Sequence, residues 1–232
     1  MKLADQIHTI MEENDNLTDE QLGQAVDSFL QIHTEEIQED GLDTYHCHRY
    51  EPTPYRVLEV LFDAFPLTKE DVLLDYGSGL GRLAFYSAAR FGCPCIGVEM
   101  AEKWYTTAEN NRLSFVTEDA DIHFILDTAD HYEVDDRVTY IYCFNPFSPD
   151  VFRTVLTRIE CSFERNPRTL TLVLYYPEDD TIFYIEQHTA FQRIDEIAAS
   201  EAIKKDRRER FSLYRLTPDD TFYPVKIFMK QL

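Results

Sequence analysis

Residues 72–81, VLLDYGSGLG, constrain the chain more than any other stretch. Val72, Leu73 and Leu74 read as a buried strand that ends on Asp75. Gly77, Gly79 and Gly81 then mark a tight turn, where glycine lets a ligand approach the backbone without a Cβ in the way. A helix is expected over 82–91. A second strand, CIGVEM over 95–100, carries Glu99 near its C-terminal end. This is one βαβ unit with a nucleotide-type crevice at its strand ends. An acid 18 residues after Gly81 suits a pair of ribose hydroxyls.

The spacing then chooses between cofactors. A dinucleotide fingerprint needs G-x-G-x-x-G, and here its last position is Arg82, which argues against an oxidoreductase. What stands instead is D-x-G-x-G-x-G, formed by Asp75, Gly77, Gly79 and Gly81. This resembles motif I of the class I S-adenosylmethionine (SAM) dependent methyltransferases, and Glu99 resembles their ribose-binding acid. The resemblance implies a Rossmann-like, seven-stranded α/β sheet, here with an N-terminal helical extension. It implies SAM as cofactor and S-adenosyl-L-homocysteine (SAH) as product. Asp75, Gly77, Ser78, Gly79, Gly81, Glu99 and Met100 are the cofactor residues it designates in this part of the chain.

Three further places extend the resemblance. Tyr50-Glu51-Pro52 resembles the loop that precedes motif I in the non-SET histone-lysine methyltransferases, where it lies across the cofactor. A third strand, 122–126, runs into Asp127-Thr128-Ala129-Asp130. Class I enzymes place an adenine-binding acid there. Thr128 occupies that position here, with Ala129 as the small residue after it and Asp127 or Asp130 as the substitute acid. A fourth strand, 138–144, ends in Asn145-Pro146-Phe147. Amine-directed methyltransferases carry Asn or Asp, Pro, Pro, aromatic at this point, and the second Pro is missing here. The resemblance implies that Asn145 and the carbonyl of Pro146 accept hydrogen bonds from a target amine. Phe147 would wall the methyl site through cation–π contact. N-methylation of a protein or small amine is therefore expected. O-methylation of a small molecule and a non-catalytic SAM-binding regulator are the alternatives.

Composition narrows the partners. A net charge of −21 argues against a nucleic-acid binder, because phosphate contacts need lysine and arginine. It suits a cationic acceptor such as a basic protein. The one dense basic cluster, Lys204, Lys205, Arg207, Arg208 and Arg210, reads as a solvated loop between two late strands. No run of about 18 apolar residues exists, so no membrane span is expected. Five cysteines without a C-x-x-C make no disulfide framework, and a cytoplasmic setting is expected. His46 and His48 lack a third ligand at metal-site spacing, so no metal is expected. Together with Tyr50 they are candidates for a general base by location alone.

The remaining elements follow in order. Residues 1–49 read as a helical cap and 50–232 as the SAM-binding domain. Leu3, Ile7, Ile10 and Met11 recur at helical spacing. Thr18 with Gln21 forms a capping box for a second helix, whose stripe is Leu22, Val26, Phe29, Leu30 and Ile32 and whose end is expected near Gly41. A helix over 55–65 presents Val57, Leu58, Val60, Leu61 and Phe65. Further helices are expected over 101–115, 152–163 and 179–191. Strands are expected over 170–175, 193–198 and 211–216, the last two an antiparallel closing pair. Tyr175-Tyr176-Pro177 is expected near the crevice, and the apolar tail 221–232 against the sheet edge.

Overall fold

The computed structural model describes residues 3–35, 50–117, 119–145 and 147–219. His46, His48, Pro146, the expected boundary at residue 49 and the tail 221–232 lie outside the described residues. Seven strands are ordered β3-β2-β1-β4-β5-β7-β6. They are β1 (Leu73–Tyr76), β2 (Cys95–Glu99), β3 (Ile122–Leu126), β4 (Tyr140–Phe144), β5 (Leu170–Tyr175), β6 (Gln192–Ala198) and β7 (Arg210–Leu216). The first five are parallel, and β7 runs antiparallel to both β5 and β6. Strand order reverses at β1, which lies between β2 and β4. An open parallel sheet forms its ligand crevice at such a switch point.

Both faces of the sheet are covered, as near-continuous apolar strands require. On one face lie α1 (Leu3–Glu13), α2 (Asp19–Leu30), α3 (Tyr55–Ala64), α4 (Arg82–Phe91) and α5 (Glu102–Ser114). On the other lie α6 (Pro149–Arg165) and α7 (Asp179–His188). Consecutive strand residues point to opposite sides, so Leu73 joins the first core and Leu74 the second. Ile7, Leu22, Val26, Leu30 and Ile32 pack in one cluster with Tyr55, Leu58, Leu73 and Phe85. The N-terminal helices thus share a core with the βαβ unit.

Several boundaries differ from expectation for local reasons. The Thr18 capping box forms, with Gln21 N–H donating to the threonine hydroxyl and the Gln21 side chain accepting from Thr18 N–H. The helix it starts ends at Leu30, well before Gly41. Gln31 turns left-handed at φ 60°, and Ile32 N–H returns to the Asp27 carbonyl. In α3 it is Phe62 that is buried, while Val60 is exposed and Phe65 lies beyond the last turn. β1 pairs through Tyr76, one residue past Asp75. α6 starts at Pro149, three residues early, because proline is well suited to the first helical turn. Cys93, Cys95 and Cys143 are buried thiols and Cys161 is exposed. Among the described residues, no helix is long and apolar enough to cross a membrane, and no cluster of His, Cys, Asp or Glu could hold a metal.

Candidate active site

The glycine turn sits where β1 gives way to α4. Gly77 and Ser78 N–H groups both donate to the Val98 carbonyl, which ties the turn to β2. Gly79 and Gly81 are left-handed, at φ 54° and 90°. They serve different purposes. A Cβ on Gly79 would lie 2.3 Å from the Tyr50 ring, so the bare backbone admits that ring over the turn. A Cβ on Gly81 would meet Phe124 at 2.5 Å, inside the core between α4 and β3.

Glu99 ends β2 beside this turn. Its two carboxylate oxygens accept from Gly79 N–H at 2.9 Å and Ala101 N–H at 2.8 Å. Burial raises its pKa, and these backbone donors oppose the rise. Asp75, on the strand between, is fully enclosed. Burial and the nearby Glu99 charge push its carboxyl up to about 8.

A cavity of about 570 Å³ opens along the C-terminal ends of β1, β2, β3 and β4. That is within the range for a small-molecule or cofactor site. Of the residues expected here, Tyr50, Asp75, Gly77, Ser78 and Gly79 line it at the turn. Glu99, Met100, Thr128, Ala129 and Asp130 line it beyond β2 and β3. Asn145 and Phe147 line the β4 side. Gly81 does not line it, because its place is in the packing behind the turn. Met100 is 51% exposed and forms an apolar lip. The Asp130 carboxyl is held below its usual range, chiefly by the Thr128 hydroxyl.

Asn145 leaves β4 at φ 32°, a conformation that asparagine tolerates better than most residues. Phe147 meets Tyr76 edge-on, with ring centroids 6.0 Å apart. Tyr176, also left-handed at φ 55°, closes the far end. Arg208 stacks on its ring at 4.5 Å and pairs with Glu178 at 2.7 Å and Asp206 at 2.9 Å.

The sequence reading missed several lining residues. Arg82, read only as a break in a dinucleotide pattern, is 4% exposed and faces the cavity. Trp104, Thr53 and Tyr142 line it too. The Thr53 and Tyr142 hydroxyls lie 2.7 Å apart, and burial raises the Tyr142 phenol well above its usual pKa. Arg208 and Glu178 complete the rim, so the basic stretch contributes to the site. Only Arg82 left a local signal, as a charge set directly after an apolar strand and glycine turn.

A family model described as histone methylation protein DOT1 matches residues 40–124, which hold the tyrosine loop, β1, the glycine turn, β2 and α5. No curated protein matches the sequence significantly. Among solved structures, PH1948 from Pyrococcus horikoshii, a proposed RNA methyltransferase, superposes with TM-score 0.55 at 15% identity. That match covers 87% of this chain and 98% of that one. The Pyrococcus abyssi tRNA (uracil-54, C5)-methyltransferase, solved with S-adenosyl-L-homocysteine, gives TM-score 0.51 at 14% identity over 72% of this chain and 40% of its own. StiE O-MT gives 0.53 at 12% identity over 68% of this chain and 71% of its own. At these identities the likeness is one of fold. The last two names differ in the atom methylated, C5 of a uracil in one and oxygen in the other, so the shared fold leaves the acceptor open.

Proposed function

We propose that this chain, which has the class I SAM-dependent methyltransferase fold, transfers a methyl group from SAM to an amine nitrogen. The observation that carries the reading is Asn145. It stands at the end of β4, beside Phe147, on the wall of the cavity that also holds the glycine turn and Glu99. The partial match to the DOT1 model points the same way.

The residues present fit SAM. Gly77 and Gly79 offer a backbone surface, and the Glu99 carboxylate stands at the end of β2 for a ribose diol. The buried Asp75 carboxyl suits the ammonium of an amino acid moiety. Bound SAM supplies a methyl on positively charged sulfur, open to in-line displacement by a nucleophile with SAH as leaving group. The chain's own part is then mainly positioning. The Asn145 side-chain oxygen accepts an N–H of the incoming amine and directs its lone pair. Phe147 and Tyr176 wall the acceptor side. The amine must be neutral to attack and gives up a proton after transfer, and the aromatic wall limits competing water at the methyl.

The cavity as a whole is acidic. Glu51 and Glu178 stand toward the acceptor side and Asp127 and Asp130 at the β3 end, while Arg208 is paired with two carboxylates, Glu178 among them, and Arg82 with Glu35. A basic protein segment or a small amine suits that field better than RNA. The test is transfer of labelled methyl from SAM to separate pools of basic peptides, small amines and RNA. Label expected on peptide or amine nitrogen supports the reading. Label on oxygen or RNA, or none despite tight SAH binding, overturns it.

A further inference from the structure

One buried polar network beside the crevice centres on Thr34. It lies four residues past the end of α2 and is fully buried. Its N–H donates to the Asp27 carboxylate at 2.5 Å, and its hydroxyl donates to the same carboxylate at 2.8 Å. The hydroxyl oxygen also accepts from Arg82 Nε at 2.7 Å. Its backbone carbonyl accepts from the Tyr50 hydroxyl at 2.7 Å. Thr34 is therefore tied to α2 through its N–H and hydroxyl, to Arg82 through the same hydroxyl, and to Tyr50 through its carbonyl.

Those ties form a closed circuit. Asp27 on α2 also accepts from the Tyr55 hydroxyl at 2.6 Å, at the start of α3. Arg82 is the first residue of α4, directly after the glycine turn. Its guanidinium lies over the Tyr55 ring at 4.7 Å and pairs with Glu35 at 2.5 Å. Its other amino group reaches toward the Thr53 carbonyl at 3.5 Å. The segment 50–55 is thus held at both ends, and at the first of them the Tyr50 ring lies on Gly79 and beside Trp104, 5.5 Å away. Asp27 and Arg82 are both more than nine-tenths buried, so losing a partner would leave a buried charge short of hydrogen bonds.

We propose that Thr34 is a positioning residue for the cofactor site: by bridging Asp27 to Arg82 it fixes the Tyr50 segment over the glycine turn. The end of α2 and the segment after it then set cofactor affinity without touching the cofactor. This rests on the SAM-binding reading above and adds a dependence which that reading does not require.

Trp104 is the only tryptophan in the chain, so its emission reports on the Tyr50 contact. The experiment measures SAH affinity by calorimetry, Trp104 emission and melting temperature for the full chain and four variants. Thr34→Val removes the bridging hydroxyl and Thr34→Ser keeps it. Leu22→Ala truncates a buried side chain of α2 outside the circuit, and Tyr50→Phe cuts only the tether to the Thr34 carbonyl. Thr34→Val is expected to weaken SAH about tenfold, the size of one lost buried hydrogen bond, and to shift Trp104 emission. Thr34→Ser should stay within about twofold of the parent, a fraction of one hydrogen bond. Leu22→Ala should lower the melting temperature while leaving SAH affinity alone.

Equal SAH affinity in Thr34→Val and the parent overturns the proposal. So does a loss in Leu22→Ala as large as that in Thr34→Val, because the effect would then be general loosening. If Thr34→Val does not fold, Tyr50→Phe decides. Weakened SAH with shifted emission supports the proposal, and unchanged values reject it. Failure of the parent to bind SAH removes the cofactor reading itself and takes the proposal with it.

Discussion

At the ends of β1 and β2 the main chain itself faces the cavity, and a single carboxylate, Glu99, is fixed by two backbone N–H groups. At the ends of β4 and β5 the cavity is walled by side chains: Asn145, Phe147, Tyr176 and an arginine held by two acids. The first half is held by ladder pairing and by the bonds of the glycine turn to the Val98 carbonyl and the Glu99 carboxylate. The second is built from residues whose roles depend on what is brought opposite them. A common cofactor and a variable acceptor call for this division, with a fixed backbone mould beside a wall that changes by substitution.

The comparison breaks most sharply at Asn145. If this residue aims the acceptor, Asn145→Ala should lower kcat by about 100-fold, the usual cost of misplacing a reacting group by roughly an ångström. SAH affinity, measured by calorimetry, should stay close to the parent value. Unchanged turnover would mean that the β4 end is only a strand terminus.

Glu99→Ala attacks the other half and should do the reverse. Losing charge-assisted hydrogen bonds to two ribose hydroxyls is worth at least about 2 kcal/mol, or roughly 30-fold in SAH affinity. With saturating SAM, kcat should largely recover. If both constants fall together, the two halves are not separable.

How much of this was readable in the sequence follows the same division. The glycine turn, β2 with its terminal acid, β3 and β5 stood out because backbone constraints leave short-range marks: glycines at fixed offsets and apolar runs of strand length. Thr18 with Gln21 was legible for the same reason. The end of α2 was not, because Gln31 is no usual left-handed residue and the turn is held by tertiary contacts of the segment that follows. Arg82 left a signal that was misread. Its partner Thr34 is 48 residues away, and the Thr53–Tyr142 contact spans 89. Arg208 looked like part of a solvated run because its partners Glu178 and Tyr176 lie at the end of another strand. Pairings across such distances have no local trace in one sequence.

Tyr176→Ala sharpens the comparison on the acceptor side. A cationic acceptor loses one aromatic face, a contact worth about 1 kcal/mol when partly exposed, so its KM should rise about fivefold. SAH affinity should not change. An equal loss in both would place Tyr176 in the cofactor half, against its position at the far end of the cavity.

The last test concerns Asp75, a buried carboxyl of the cofactor half. Its carboxyl is raised to about 8 by burial and by Glu99, against an ordinary value near 3.8. Between those values the folded chain holds a proton that the unfolded chain has released. Stability contributed by this group is therefore present at low pH and falls as pH rises from about 4 to 8, with no further change above. In Asp75→Asn the side chain cannot ionise. The melting temperature of the variant relative to the parent should accordingly climb across that window. SAM should act in the opposite sense, because its ammonium favours the ionised carboxyl. Binding near pH 7 should then release protons, visible as a calorimetric enthalpy that varies with the ionisation enthalpy of the buffer. A variant whose relative melting temperature is flat with pH, with no buffer dependence in the parent, would mean that Asp75 is already charged before the cofactor arrives. The cofactor half would then be preorganised in charge as well as in backbone, and the contrast with the side-chain-built acceptor wall would be stronger still.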